Sequence, residues 1–133
     1  MEAVSFAVRD VVEILEERGL SISLLRTGGG AAQSEHWNQI KCDVLGKPLV
    51  IPEVLHSGLL GAAIAAAWGV GTYASGEAAV SAMFRSGSTL EPNPLHHSHY
   101  DRIFPLYRRL YRHLRDDFGQ LSDIIMAGEE IAS

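Results

Sequence analysis

Apolar side chains recur at helical spacing over the first eighteen residues. They are Val4, Val8, Val11, Val12 and Leu15. Charged residues fill the other positions and Gly19 stands where a helix would stop, so the pattern predicts a helix over residues 1–18 whose apolar side faces a core. Because the repeat starts almost at Met1, we expect that the chain was cut within or just before a helix of a longer sequence.

Two short segments have the pattern of strands. Residues 21–26 alternate between polar and apolar side chains, and residues 49–51 form an apolar run that Pro52 ends. Two parallel strands make a poor sheet by themselves, so we expect these strands to be part of something larger.

A capped helix is predicted between those strands, over residues 35–45. Ser34 is a good N-cap, Gly46 supplies a stop, and Pro48 prevents the helix from resuming. The expected inner face consists of Trp37, Ile40, Val44 and Leu45.

Three more helices are predicted in the second half of the chain. Residues 58–71 are rich in alanine and glycine, which indicates a closely packed core helix, and Ser75 caps a short helix that reaches Phe84. Residues 85–99 are predicted to be a loop. The last helix follows from Tyr100 and either starts near Pro105 or kinks there, because proline fits poorly inside a helix. Its packing stripe is Tyr100, Phe104, Tyr107, Tyr111, Leu114 and Phe118.

This order of elements predicts an α/β fold, with few parallel strands flanked by helices and a long C-terminal helix. We divide the chain into one partial domain over residues 1–120 and a C-terminal tail over residues 121–133, which we expect to fray.

Composition narrows the possible partners. The chain has 133 residues and a formal net charge of −5, which argues against nucleic-acid binding because phosphate backbones attract basic surfaces. The single cysteine, Cys42, cannot form an internal disulfide and favours a reducing, cytoplasmic setting. The sequence has no signal-peptide pattern and no apolar run long enough to span a bilayer, so we expect no membrane partner.

Three consecutive glycines, Gly28–Gly30, end the first predicted strand. Glycine lets a ligand touch the backbone, and the helix N-terminus near Ser34 offers N–H donors to an anion. No Gly-Lys-Ser/Thr follows, which excludes a Walker loop, and Gln33 occupies the third-glycine position of a GxGxxG loop. A dinucleotide site would also need an acidic residue at the end of the second strand, where Glu53 follows a proline. From the residues alone, a nucleotide cradle and a tight turn both remain open.

Longer motifs surround these glycines. Residues 28–48 resemble the pattern GGGAxSxxWxQxxADxxGxP, with one more residue between Ala31 and Ser34 and with Cys42 in place of the alanine, and residues 61–71 resemble GAAxxAxxGxG. Residues 1–10 are similar to MEGVAFALRD, and a PxP motif followed by spaced tyrosines begins at Pro92. Taken in this order, residues 1–118 resemble the C-terminal domain of the FGGY family of carbohydrate kinases, most closely its xylulose-kinase branch. His56 and Ser57 depart from it, because many members have an acidic residue there.

The resemblance implies part of a ribonuclease-H-like (actin-like ATPase) domain that binds the adenosine portion of ATP or ADP. Carried over by position, the residues at the nucleotide would be Gly28, Gly29, Gly30, Ala31, Gln33 and Ser34. The resemblance also implies Mg²⁺ in the complete enzyme and transfer of the γ-phosphoryl group to a sugar hydroxyl. The aspartate base and the sugar pocket would belong to a preceding N-terminal domain. We therefore assign no catalytic residue here and expect no catalysis by this chain alone.

Two other features are assigned no site. His96, His97 and His99 are expected in an exposed loop without a nearby carboxylate, so no metal site is predicted. The arginines of the last helix are expected to be solvated. A second hypothesis is an interaction module that keeps the kinase-derived fold and forms homo-oligomers through unpaired strand edges and uncovered apolar faces.

Overall fold

The computed structural model describes the backbone of residues 1–131 and the side chains of residues 1–126. Its elements in chain order are α1 (Glu2–Glu17), β1 (Leu25–Arg26), a 3₁₀ turn (Gly30–Gln33), α2 (Glu35–Leu45), β2 (Leu49–Pro52), α3 (Ser57–Gly69), α4 (Gly76–Met83), β3 (Ser86–Leu90) and α5 (Pro94–Ile131). Helices flanking a small sheet confirm the predicted α/β class and the long C-terminal helix.

The sheet has the strand order β1-β2-β3. β1 pairs with β2 in parallel, with Leu25 opposite Leu49 and Arg26 opposite Val50. Of the strand predicted over 21–26, only Leu25 and Arg26 pair with β2. Because β2 begins at Leu49, the partner of Leu25, residues 21–24 have no strand residue opposite them. β2 therefore has one parallel and one antiparallel neighbour.

The third strand, β3, was predicted to be loop, and that prediction is wrong. Its residues include serine and glycine, which have low strand propensity, but the second edge of β2 supplies backbone partners for them. A Cβ at position 87 would lie 2.6 Å from the carbonyl oxygen of Ile51, so the lack of a side chain at Gly87 lets β3 come this close to β2. The loop prediction also fails over residues 94–99, which form the start of α5.

The core lies where α1, α2 and α5 meet. Phe6, Val44 and Phe104 are buried together, and the Phe6 ring centroid lies 5.9 Å from that of Phe104 and 5.3 Å from that of Tyr107. On the side of α2 that faces the sheet, Cys42 is buried, and so is Leu49 of β2. α2 is thus the central element, between the sheet and the other two helices.

Helix α1 has its predicted range, and its predicted apolar stripe is only partly buried: Val12 is buried and Leu15 is half-buried. Val4, Val8 and Val11 are 53%, 40% and 56% exposed, whereas Phe6 is buried. The inward side also carries Arg9, whose guanidinium bonds to both neighbouring helices. The expected packing is therefore confirmed at Val12 and Leu15 and wrong at Val4, Val8 and Val11, because Phe6 and the Arg9 bonds turn a neighbouring side of the helix toward α2 and α5.

Helix α3 was predicted to be a closely packed core helix, and this is also wrong. None of its residues is buried, and Leu59 and Trp68 are 73% and 54% exposed. It packs mainly against α4. Within the part of the chain that the structure describes, the remaining sides of this apolar helix have no cover.

Helix α5 begins at Pro94 and contains Pro105, so a start near Pro105 is excluded. Of its predicted packing stripe, Phe104 is buried and Tyr100 and Tyr107 are half-buried. The remaining members, Tyr111, Leu114 and Phe118, are exposed. The predicted domain boundary at residue 120 falls inside this helix and stays a prediction, and residues 132–133 of the predicted tail lie outside the described residues. No helix in the described range is both long and apolar enough to cross a membrane.

Candidate functional site

The glycine loop begins at the carboxyl end of β1. The N–H of Thr27 donates to the carbonyl of Val50 at 3.0 Å, which is the last bond that holds the chain to β2. Gly29 then adopts a positive φ of 76° and donates its N–H to the carbonyl of Leu55 at 2.7 Å. Because β1 and β2 are parallel, the loops that follow them lie at the same edge of the sheet, and this bond joins them.

The loop has little room for a side chain at the point where it approaches α3. A Cβ at Gly28 would lie 3.2 Å from Oγ of Ser57, tighter than ordinary contact. A Cβ at Gly30 would meet nothing within 4 Å, so this position faces open space. The structure thus brings Ser57 against the loop, a proximity that sequence spacing did not reveal.

Ser34 starts α2 as predicted. Its Oγ accepts a hydrogen bond from the Trp37 N–H at 3.3 Å, which confirms the N-cap, and its hydroxyl hydrogen can still donate to a ligand. The predicted stop is also confirmed, because Gly46 is left-handed and donates its N–H to the carbonyl of Cys42. The loop is therefore followed by a helix with fixed ends.

Asn38 connects the loop to α2. This side chain is buried, and its Nδ2 donates to the carbonyl of Ala32 at 2.7 Å. Of the predicted apolar inner face, Val44 and Leu45 are buried and Trp37 and Ile40 are half-buried. The burial of Asn38 on the same helix was not predicted. The available signal was an amide side chain within a helix face that is otherwise mostly apolar.

Lys41 supports the start of the loop. Its Nζ lies 3.4 Å from Oγ1 of Thr27 and 3.3 Å from Oδ1 of Asn38, and it stands 4.6 Å from the centroid of the Trp37 ring. Partial burial lowers the pKa of Lys41 from its ordinary value, because desolvation disfavours the charged ammonium. This half-buried cation was also missed by sequence reasoning.

The six predicted nucleotide residues form one segment outside the carboxyl ends of β1 and β2. Gly28, Gly30 and Gln33 are exposed, and Gly29, Ala31 and Ser34 are half-buried. In open α/β sheets, ligands bind in the crevice at this edge. The arrangement provides an exposed backbone surface and a helix N-terminus that could receive a nucleotide.

The histidine segment differs from its prediction. His96 and His97 lie at the start of α5, and their Nδ1 atoms are each 2.8 Å from Asp43, at Oδ2 and at the backbone oxygen respectively. A carboxylate is therefore adjacent, contrary to expectation. Even so, no group of three His, Cys, Asp or Glu side chains in the described range is arranged to hold a metal ion.

The expected solvation of the last helix's arginines fails at Arg108. Its guanidinium lies 2.9 Å from Oδ1 of Asp10 and 3.4 Å from Oε2 of Glu13. This arginine therefore joins α5 to α1.

Comparison with known proteins gives consistent matches. Residues 1–70 match the C-terminal domain of the FGGY family of carbohydrate kinases. The chain is 28% identical over 116 residues to xylulose kinase of Bacillus subtilis, covering 87% of this chain and 23% of that protein. It is 38% identical over 94 residues to glycerol kinase of Dechloromonas aromatica, covering 70% and 18%.

Solved structures agree with these matches. Xylulose kinase from Rhodospirillum rubrum has a TM-score of 0.69 at 32% identity, over 89% of this chain and 24% of that one. Gluconate kinase from Lactobacillus acidophilus has a TM-score of 0.77 at 22% identity, over 90% and 24%, and shows the fold alone. The matched part of the chain covers only 18–24% of the length of these kinases.

Proposed function

This chain belongs to the FGGY family of carbohydrate kinases, and we propose that it supplies the adenosine side of the ATP site of such a kinase. The observation that carries the proposal is the bond from the Gly29 N–H to Leu55, which joins the loops after two parallel strands around an exposed glycine segment. In the proposal, Gly28, Gly29, Gly30 and Ala31 contact adenine and ribose. Ser34 donates to the adenine edge, and Gln33 lies beside it.

We propose that the fold is part of a ribonuclease-H-like domain. The parallel pair β1 and β2, with α2 between them in sequence, supports this assignment. In this proposal, Mg²⁺ and the γ-phosphate are bound jointly by this chain and the rest of the kinase, because phosphoryl transfer depends on positioning both substrates and neutralising charge. A cytoplasmic location is part of the same proposal.

The proposed reaction of the complete kinase is transfer of the ATP γ-phosphoryl group to a sugar hydroxyl, with xylulose as the first sugar to test. The choice of sugar rests on the similarity to xylulose kinases. This chain alone is proposed to be inactive, because the aspartate base and the sugar pocket are assigned to the part of the kinase that it does not span. ATP-dependent phosphorylation of xylulose by the purified 133-residue chain would refute the inactivity.

Nucleotide binding is tested by titrating ADP while backbone amides are followed by NMR. We expect saturable shifts at Gly28–Ser34 and an affinity weaker than micromolar, because one side of the cleft is absent from this chain. Gly30→Val should abolish these shifts, since the new side chain enters open space in front of the loop without straining the fold. Gly119→Val, another position where a Cβ meets nothing within 4 Å, is the matched control. Equal binding by Gly30→Val would rule out this loop as the site.

A second candidate function is an interaction module without catalysis. The uncovered valine side of α1 and the uncovered α3 favour it, because large exposed apolar faces mark association surfaces. Light scattering across a concentration series distinguishes the two functions. A monomer at high concentration that still binds ADP through the glycine loop would support the kinase assignment and count against the module.

A further inference from the structure

A pocket of about 380 Å³ lies between the start of α1, one side of α2 and the start of α5. Its walls include Glu2, Gln39, Ile40 and Tyr100. Helix α2 is the only element that contributes both to this pocket and to the support of the glycine loop. The proposed kinase chemistry assigns the pocket no role. Its polar atoms can be assigned individually as donors or acceptors, and this assignment identifies the ligand that would suit it.

His96 is oriented in this pocket by Asp43. The Asp43 carboxylate is buried and accepts three hydrogen bonds: from Gln39 Nε2 at 2.7 Å, from the Asn93 N–H at 2.8 Å and from His96 Nδ1 at 2.8 Å. Because an ionised carboxylate only accepts, Nδ1 of His96 must carry the proton. In the neutral imidazole, Nε2 is then an acceptor.

Gln39 and Tyr100 have already used their donors. Nε2 of Gln39 donates to Asp43 and, at 3.1 Å, to the carbonyl of Glu91, so its carbonyl oxygen is the remaining polar atom. The hydroxyl of Tyr100 donates to Oε1 of Glu2 at 2.9 Å. Burial, reinforced by the hydrogen bond and the charge of Glu2, raises the pKa of Tyr100 to about 12, which keeps that proton in place. The second carboxylate oxygen of Glu2 remains available to accept.

The acceptors that remain are Nε2 of His96, the carbonyl oxygen of Gln39 and one oxygen of Glu2. Two carboxylates give the pocket a negative charge at neutral pH, while Ile40 and the Tyr100 ring give it an apolar wall. His36 and His99 complete the lining. A ligand that pairs with these acceptors and offsets this charge should carry several N–H donors and a positive charge on a short apolar body.

We propose that this pocket binds a primary ammonium group carried on a short alkyl chain, with His96, Gln39 and Glu2 accepting its three N–H bonds. A compact ammonium has three donors and no acceptor, which matches the set of free atoms. The proposal holds whether or not the glycine loop binds a nucleotide.

The test uses n-butylammonium as the probe at pH 8. Butan-1-ol is the uncharged control of similar size and butyrate is the anionic control. In an NMR titration of the full chain, we expect saturable shifts at the His96 imidazole nitrogens and the Gln39 side-chain amide. Butanol should bind about tenfold more weakly, and butyrate should not shift these signals. Equal binding of butanol, or tighter binding of butyrate, would overturn the proposal.

Glu2→Gln tests the role of charge without removing the acceptor that Tyr100 needs. We expect it to weaken butylammonium binding about three- to fivefold, the size of one partly exposed ion pair. Glu17→Gln, at the exposed far end of the same helix, should leave binding unchanged. An unchanged affinity in Glu2→Gln would show that the pocket does not recognise the positive charge.

Discussion

Nη2 of Arg9 lies 2.6 Å from Oδ1 of Asp101, which joins α1 to α5 across 92 positions of sequence. The same guanidinium bonds to Glu13 at 2.9 Å and to the carbonyl of Val44 at 3.1 Å, and it stands 4.4 Å from the Phe104 ring centroid. One half-buried cation therefore fixes three helices, which explains why the charged side of α1 faces inward.

Replacing Arg9 should destabilise the fold. Arg9→Met keeps most of the apolar stem but leaves Glu13, Asp101 and the Val44 carbonyl without this partner, so we expect a loss of about 2–4 kcal/mol in unfolding free energy. Urea denaturation measures it. Arg18→Met, at an exposed position, is the control and should change stability by less than about 0.5 kcal/mol. A similar result for both variants would mean that the Arg9 bonds contribute little.

Gly46 should be intolerant of any side chain. Its φ is 63°, and an added Cβ would overlap the ring of His97. We expect Gly46→Ala to cost about 1–3 kcal/mol by thermal or urea unfolding, from left-handed strain together with the displaced imidazole.

Gly61→Ala provides the contrast for that measurement. Gly61 lies inside α3, where a Cβ meets nothing within 4 Å, so the change should raise stability by about 0.5–1 kcal/mol. A loss in both variants would contradict the description of α3 as uncovered.

The two faces of α1 can be compared at adjacent residues. Val11 is 56% exposed and Val12 is 5% exposed. Val12→Gln buries an amide and should cost about 2–4 kcal/mol, whereas Val11→Gln should change stability by less than about 0.5 kcal/mol. Urea denaturation of both variants tests this difference, and the opposite order would contradict the burial of Val12 and the exposure of Val11.

The Cys42 thiol should be unreactive at neutral pH. The side chain is fully buried, with Sγ 3.3 Å from the carbonyl oxygens of Lys47 and Leu90. Burial, assisted by the charge of Asp43, raises the pKa of Cys42 from 9.0 to about 11. We expect Ellman's reagent to modify the native chain far more slowly than the urea-unfolded chain, since the thiolate is the reactive form. Equal rates would contradict this burial.

The same shift predicts how stability depends on alkaline pH. A thiol whose pKa is raised by folding stabilises the protein fully below pH 9, and this contribution is lost as the pH rises toward 11. Tyr100 adds a second loss between about pH 10 and 12. Urea denaturation at pH 8 and pH 10.5 should show a drop that Cys42→Ala reduces. In Tyr100→Phe, the part of the stability drop that comes from Cys42 should remain. A drop of unchanged size in Cys42→Ala would refute the assignment of this part to the thiol.

Local signals predicted α2 well. Ser34 as cap and Gly46 as stop depend on short-range backbone geometry, which neighbouring residues decide. The glycine loop was located for the same reason, because Gly28–Gly30 interrupt any regular element. Its supports, Asn38 and Lys41, were missed because their partners lie on other segments.

The sequence by itself determined the positions of α1, α2, α3 and α4, the caps and the family motifs around the glycines. Tertiary structure decided which side of α1 is buried, that Ser86–Leu90 is a strand and that Asp43 meets His96. The reason is physical. Caps and helical periodicity are properties of adjacent residues, whereas a strand needs an available edge, and a buried face is chosen by whichever partners offer the better contacts. At α1, the Phe6 core contacts and the Arg9 ion pairs direct Val4, Val8 and Val11 outward, while Val12 stays buried.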